Sequence, residues 1–234
     1  MPGEARSGAA GAGGLAESSG VIGPTRTANP VTRISGRIGA LATWRAPSVE
    51  GMPTSVLVVS DTHVPQKAKA VPGVVWTAVE RADVVVHAGD WTGEPLLDEF
   101  EARARLLIGV RGNNDGAGLR ARLPEVARTT IEGVRLAVVH ETGAKEARER
   151  RMDRLFPETD LLLFGHSHIP WDTTTPAGLR LLNPGSPTDR RRQPHATYLT
   201  LTLDAGEVRD VVLHELPVAA RDRTGVLPHP RMTT

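Results

Sequence analysis

The run Val56-Leu57-Val58-Val59-Ser60-Asp61-Thr62-His63 decides how this chain folds. Four successive apolar residues, mostly β-branched, have the length of a strand. They lack the polar alternation of a strand with one wet face, so they describe a strand covered on both sides. The strand ends in a carboxylate and an imidazole. Working outward, the same pattern recurs. Val84-Val85-Val86 leads into His87-Ala88-Gly89-Asp90, and Leu106-Leu107-Ile108-Gly109-Val110 into Arg111-Gly112-Asn113-Asn114-Asp115. Leu136-Ala137-Val138-Val139 leads into His140, and Leu161-Leu162-Leu163-Phe164 into Gly165-His166-Ser167-His168. Buried strands lying side by side would bring these polar ends into one crevice at the carboxyl edge, where α/β sheets place their ligands.

The intervening segments read as helices and hairpins. Residues 71–81 and 94–103 predict helices with Pro72 and Pro95 near their starts, where a missing N–H costs little, and 144–154 predicts a charged, exposed helix. Strands are expected at 83–87 and 105–110, and residues 126–131 and 134–140 form a hairpin around Glu132-Gly133. After Gly165 the pattern changes to consecutive strands at 171–175, 179–183, 196–204 and 208–216, the last two joined by Ala205-Gly206. This order implies a mixed α/β chain with two packed sheets flanked by helices.

Composition separates the ends from the middle. Residues 1–52 are rich in Gly, Ala, Ser, Pro and Thr and bury too little apolar surface to offset their ordering entropy. They are expected to be a disordered extension, or to precede a true start at Met52. Residues 53–217 form one domain and 218–234 a flexible polar tail. With 28 basic against 27 acidic residues the net charge is +1, which argues against a general nucleic-acid or membrane-surface binder. No apolar run approaches the roughly 20 residues of a membrane span, and the first residues lack the apolar stretch of a secretory signal. There is no cysteine, so disulfides and thiolate metal sites are excluded. A cytoplasmic location is the expectation.

The residues at the strand ends are of one chemical kind. Asp61, His63, Asp90, Asn113, His140, His166 and His168 offer imidazole nitrogens, carboxylates and an amide carbonyl. Such a nitrogen-and-oxygen set suits manganese, iron or zinc. Seven donors are too many for one small cation and suit two, about 3.5–4 Å apart, able to clamp a phosphate and acidify a water between them.

In this order the motifs resemble those of the calcineurin-like metallophosphoesterases: Asp61-Thr62-His63, Gly89-Asp90, Gly112-Asn113-Asn114-Asp115, His140 and Gly165-His166-Ser167-His168. Ser60-Asp61-Thr62-His63, Val110-Arg111-Gly112-Asn113 and Asn183-Pro184-Gly185-Ser186-Pro187 are similar to their small YfcE-like phosphodiesterase branch. The resemblance covers about residues 54–216. It implies a four-layer α/β/β/α sandwich and hydrolysis of a small phosphodiester by a bridging hydroxide at a dinuclear centre. Manganese is favoured there, with iron, zinc or nickel as alternatives. It further implies that Asp61, His63 and His168 hold one cation, that Asn113, His140 and His166 hold the other, that Asp90 bridges them, and that Asp115 orients its neighbours. The alternatives on the same scaffold are a phosphomonoesterase and a non-catalytic scaffold, as in the retromer subunit of this fold. No membrane partner is expected, the sequence is silent on oligomeric state, and a nucleic-acid polymer is disfavoured because the chain lacks a large basic surface.

Two positions depart from the pattern. Asn114 stands where many members have a histidine that contacts phosphate and protonates the leaving group. An amide donates a hydrogen bond but transfers no proton at neutral pH, so Asn114 is expected to bind phosphate and the reaction to favour diesters. Glu141 stands where glycine is expected. Arg190, in the run Arg190-Arg191-Arg192, is the arginine expected to clamp phosphate. His87, inside its strand, is read as a core histidine or an outer donor, and Trp91 and Trp171 as packing residues that flank the motifs.

Overall fold

The computed structural model describes residues 52–217, so the expectations for the first fifty-one residues and for 218–234 lie outside the described residues. The first sheet takes β1 (Thr54–Val59), β2 (Val84–His87), β3 (Leu107–Gly109), β9 (Ala196–Asp204) and β10 (Glu207–Leu216) in the order β10-β9-β1-β2-β3. The second takes β4 (Val126–Ile131), β5 (Val134–Val139), β6 (Leu161–Leu163), β7 (Trp171–Thr174) and β8 (Arg180–Asn183) in the order β4-β5-β6-β8-β7. β1, β2 and β3 are mutually parallel, as are β5, β6 and β8, while β4, β7, β9 and β10 are added antiparallel. Each sheet therefore has a central set of strands whose carboxyl ends point the same way.

The uninterrupted apolar runs have a simple cause. Side chains alternate across a strand, and here both faces are covered. Val56 and Val58 of β1 join Val84 and Val86 of β2 in the space between the sheets, where they meet Leu136 and Val138 of β5 and Leu161 and Leu163 of β6. Leu57, Val59 and Val85 face outward beneath α1 (Gly73–Arg81) and α2 (Glu94–Arg103), packing on Val75, Val79, Leu97 and Phe100. On the far side of the second sheet, Val139, Leu162 and Leu181 pack on Met152 and Phe156, contributed by α4 (Arg148–Leu155) and its end. Helices, sheet, sheet and helix thus form the expected α/β/β/α sandwich.

Three local differences from the sequence reading have physical reasons. A short helix, α3 (Ala117–Arg122), lies where no element was expected, and its single buried residue, Leu119, gives it no readable period. α4 starts at Arg148, not 144. Residues 142–146 form a loop whose carbonyls receive the guanidinium of Arg151, and Ala147 is left-handed (φ 52°), which blocks extension of the helix backward. α4 is also only partly the exposed helix anticipated, since Arg148 and Met152 are buried. The hairpin turns agree with expectation. Glu132 and Gly133 (φ 48° and 81°) and Ala205 and Gly206 (φ 48° and 84°) both take two left-handed residues, as tight hairpins with twisted strands require. β10 carries a register break between Arg209 and Val212, with Asp210 left-handed (φ 49°).

Candidate metal centre

The carboxyl ends of both parallel sets open onto the same edge of the sandwich, and each delivers polar side chains there. β1 is followed by Asp61 and His63, β2 by Asp90, β3 by Asn113, β5 by His140 and β6 by His166 and His168. The seven residues are brought together. His63 Nε2 lies 3.1 Å from His168 Nε2, and His168 Nε2 lies 3.4 Å from Asp61 Oδ1. Asp90 Oδ2 sits 3.6 Å from His63 Nε2 and 3.4 Å from His140 Nε2, between the first group and the second. Asn113 Oδ1 is 3.0 Å from both His140 Nε2 and His166 Nδ1. Asp61, His63 and His168, and likewise Asp61, Asp90 and His140, present donor atoms within 4.8 Å of one another. All of these are buried except Asn113 and His166 at the outer rim.

The backbone is bent to produce this convergence. Asp61, His63, Asp90, His166 and His168 all adopt left-handed φ, between 47° and 68°. That conformation costs a non-glycine residue about 1–3 kcal/mol and persists only where the surroundings enforce it. Here the enforcement is visible. Ser186 Oγ donates to the Asp61 carbonyl (2.7 Å) and Thr188 Oγ1 to the Thr62 carbonyl (2.7 Å). Asn183 Nδ2 donates to the Gly165 carbonyl (2.8 Å). Asp115 accepts from the backbone N–H of Gly112 (2.7 Å), Asp90 (3.2 Å) and Thr92 (2.8 Å), tying the β2 loop to the β3 loop. The segment Asn183-Pro184-Gly185-Ser186-Pro187 is therefore a brace beneath the donors. Gly185, left-handed at φ 73°, packs on Thr197 of β9 in the other sheet, whose Oγ1 lies 2.1 Å from where a Cβ would stand. Gly112 and Gly165 are likewise dictated by proximity. A Cβ on Gly112 would lie 2.2 Å from Asp90 Oδ1, and one on Gly165 would lie 1.8 Å from Ser60 Oγ.

Electrostatics and tautomers favour a cation here. His140 Nδ1–H donates to the Ala88 carbonyl (2.8 Å), and His168 Nδ1–H donates to the Asp189 carbonyl. Their Nε2 atoms are then left facing carboxylate, carbonyl and imidazole acceptors at 3.0–3.4 Å. Lone pairs do not meet at such distances unless a proton or a metal lies between them. The protonation preferences carry the same message. Burial pushes the Asp61 carboxyl up to about 7. Burial also acts on Asp90, but hydrogen bonds from His140 and Asn114 and the nearby imidazolium charge outweigh it and hold that carboxyl well below its usual range. Burial is outweighed at His140 too, where the two aspartates raise its affinity for a proton. It prevails at His63 and at His168, lowering the first and bringing the second to about 4. A cation held among these groups would relieve the crowding of acceptors without a shared proton, so this donor set fits divalent metal.

The remaining expected residues fall as follows. The Asn114 side chain, expected at the phosphate, donates through Nδ2 to Asp90 Oδ2 (2.7 Å), and its backbone N–H donates to Asp90 Oδ1 (2.9 Å). Arg190 is turned into its own loop, donating to the Gln193 carbonyl. Arg191 is the exposed arginine whose charge reaches both His63 and His168. Glu141 faces the outer edge of the centre, 3.9 Å from His166 Nε2. His87 is fully buried, shares a 3.0 Å hydrogen bond with Thr62 Oγ1 and stacks 3.5 Å from the Trp91 ring, in the place of a core histidine. Sequence reasoning missed Arg191, Thr188, Asp189 and the Ala88 carbonyl. Only the neighbouring arginine run gave any signal for them, because hydroxyls and carbonyls carry no motif.

Comparison with known proteins agrees with this fold. Residues 55–206 match the model of the calcineurin-like phosphoesterase superfamily domain. A probable metallophosphoesterase of Methanothermobacter thermautotrophicus is 33% identical over 158 residues, covering 65% of this chain and 90% of that protein. A Thermotoga maritima protein solved by NMR is 32% identical, with a TM-score of 0.57 over 70% of this chain and 99% of its own. Wild-type Vps29 of Entamoeba histolytica, solved with Zn2+, is 25% identical, with a TM-score of 0.54 over 69% of this chain and 98% of its own. Among the described residues, no helix is long and apolar enough to cross a membrane. The matched stretch runs from the first strand of the sandwich to the turn before its last, and every donor described above lies inside it, so the chain belongs to the calcineurin-like phosphoesterase superfamily.

Proposed function

We propose that the chain is a metal-dependent phosphodiesterase that uses two cations. Asp61, His63 and His168 hold one, Asn113, His140 and His166 hold the other, and Asp90 lies between. The observation that carries this reading is the meeting of His140 Nε2, its ring oriented by the bond from Nδ1–H to the Ala88 carbonyl, with Asp90 Oδ2 and Asn113 Oδ1, alongside the facing Nε2 atoms of His63 and His168. When bound, divalent cations supply Lewis-acid polarisation of the phosphoryl group and a more acidic attacking water. The mixed nitrogen and oxygen donors favour manganese, with iron, zinc or nickel as competitors, and the zinc in the Vps29 relative supports a divalent ion.

The protein's own groups then position and neutralise. Asn114 orients the Asp90 carboxylate with one N–H, leaving the second for a phosphate oxygen. Arg191 brings positive charge to the same rim. Water forms the new P–O bond, the ester P–O bond breaks, and the water's proton ends on the departing alcohol. No side chain with a transferable proton stands at position 114, so leaving groups that depart as weakly basic oxyanions are favoured over alkoxides of phosphomonoesters. Metal analysis, combined with rates on bis(p-nitrophenyl) phosphate and p-nitrophenyl phosphate in added Mn2+, tests this. Bound metal with faster diester cleavage supports the proposal. Faster monoester cleavage would make the chain a phosphomonoesterase, and bound metal with neither activity would leave a binding role.

A further inference from the structure

Beside the metal centre lies a cleft of about 480 Å³, open to solvent and continuous with Asn113 and His140. Its apolar walls come from side chains that are not among the metal donors. Val126 opens β4, Val139 is the last residue of β5, and Met152, Leu155 and Phe156 belong to α4 and its end. Val126 and Leu155 are 39% and 57% exposed and so available to a ligand, while Met152 and Phe156 form a buried floor.

The charged groups at the cleft are already occupied. Arg111 pairs with Glu125 at 2.7 Å. Arg151 spends its guanidinium on the carbonyls of Thr142, Ala144 and Glu146. Glu141 contributes a further negative charge. Two arginines set against two glutamates leave no net positive field for a second phosphate, which a polymer backbone would require. The cleft's apolar side chains, Val126, Val139, Met152, Leu155 and Phe156, instead favour an uncharged group by shape and burial.

We infer that this cleft receives one organic substituent of the phosphodiester and selects an uncharged, largely apolar group of aryl or nucleoside size. The inference rests on the phosphodiesterase reading and names the substrate class within it. The phosphate sits at the cations, and the ester substituent nearest Asn113 and His140 extends between Val126 and Leu155. A methyl substituent leaves the cleft unfilled, and an anionic one meets Glu125 and Glu141.

Calorimetric binding to the Mn2+-loaded full chain tests this, using methyl phenylphosphonate, methyl methylphosphonate and methyl 4-carboxyphenylphosphonate as diester mimics. The phenyl compound is expected to bind about tenfold or more tighter than the methyl one, the scale on which apolar pockets discriminate, and the carboxyphenyl compound is expected to lose that advantage. Leu155→Glu and Val126→Asp, both at exposed positions, are expected to bring the phenyl-to-methyl ratio towards one. Val212→Glu, on the exposed β10 edge, is expected to keep the wild-type ratio. Equal binding of phenyl and methyl compounds, or a ratio that neither cleft substitution alters, overturns the inference. Because the readout is binding, loss of the hydrolytic reading is separable. A phenyl preference that Leu155→Glu removes, in a protein that cleaves no diester, supports the cleft and sinks the diesterase. Diester cleavage without discrimination does the reverse.

Discussion

At the scale of single residues, the donors were legible because each ends an apolar run, and their environment was not. Asp61 and His168 announce themselves by position, yet nothing in the sequence says that the Ala88 and Asp189 carbonyls select the tautomers of His140 and His168. Asn114 shows the limit most clearly. Its identity excludes proton transfer, but only the fold reveals that its amide is engaged with Asp90. Gly112→Ala is expected to displace the Asp90 carboxylate, which lies 2.2 Å from the new methyl position, and to reduce metal content and activity by more than about tenfold while the protein stays folded. Metal analysis of the purified variant checks it, and unchanged occupancy would contradict the close approach.

His87 gives a pH-dependent prediction at the same scale. Burial is the main cause that lowers its proton affinity well below the ordinary value of 6.5, with the charge of His140 adding to it. The folded state therefore keeps the ring neutral, while the unfolded chain takes up a proton near pH 6.5. Stability from this group is fully present above that pH and declines as the pH falls below it. Thermal melts from about pH 8 to 5 should show His87→Phe, which retains a ring against Trp91 but has no proton to gain, losing less stability on acidification than wild type. Parallel curves would rule the histidine out as a source of the dependence.

At the scale of elements, buried strands and tight hairpins were readable because burial on two faces and paired left-handed residues leave compositional marks. Short helices were not. α3 buries only Leu119, and the start of α4 is set by the tertiary contact of Arg151 with the 142–146 loop, which no local propensity encodes. The charged appearance of α4 also hid its role as the second sheet's outer cover. Met152, 2% exposed, anchors that cover with Phe156. Met152→Ala is expected to cost about 2–5 kcal/mol, measurable by denaturant melts. A loss below about 1 kcal/mol would show that the layer packs loosely.

At the scale of the whole molecule, two sheets share one cluster of donors. Asp61, His63, Asp90 and Asn113 follow strands of one sheet, while His140, His166 and His168 follow strands of the other. Metal binding should therefore stabilise the entire sandwich and not a single loop. At a free Mn2+ concentration about a hundredfold above Kd, the expected gain is about 2.7 kcal/mol, or roughly 5–10 °C in Tm for a chain of this size. Chelator should reverse it, and a Tm indifferent to both would mean that the donors do not hold metal in the native state.

The core of Val58, Val86, Leu136 and Leu163 fills the gap between those sheets and so fixes how far apart the two halves of the donor set stand. The centre thus works as a gauge of sheet spacing. Under the proposed assignment each cation takes ligands from both sheets, so any slackening deep in the hydrocarbon filling, well away from the chemistry, would register there as stretched ligand distances and weaker metal binding.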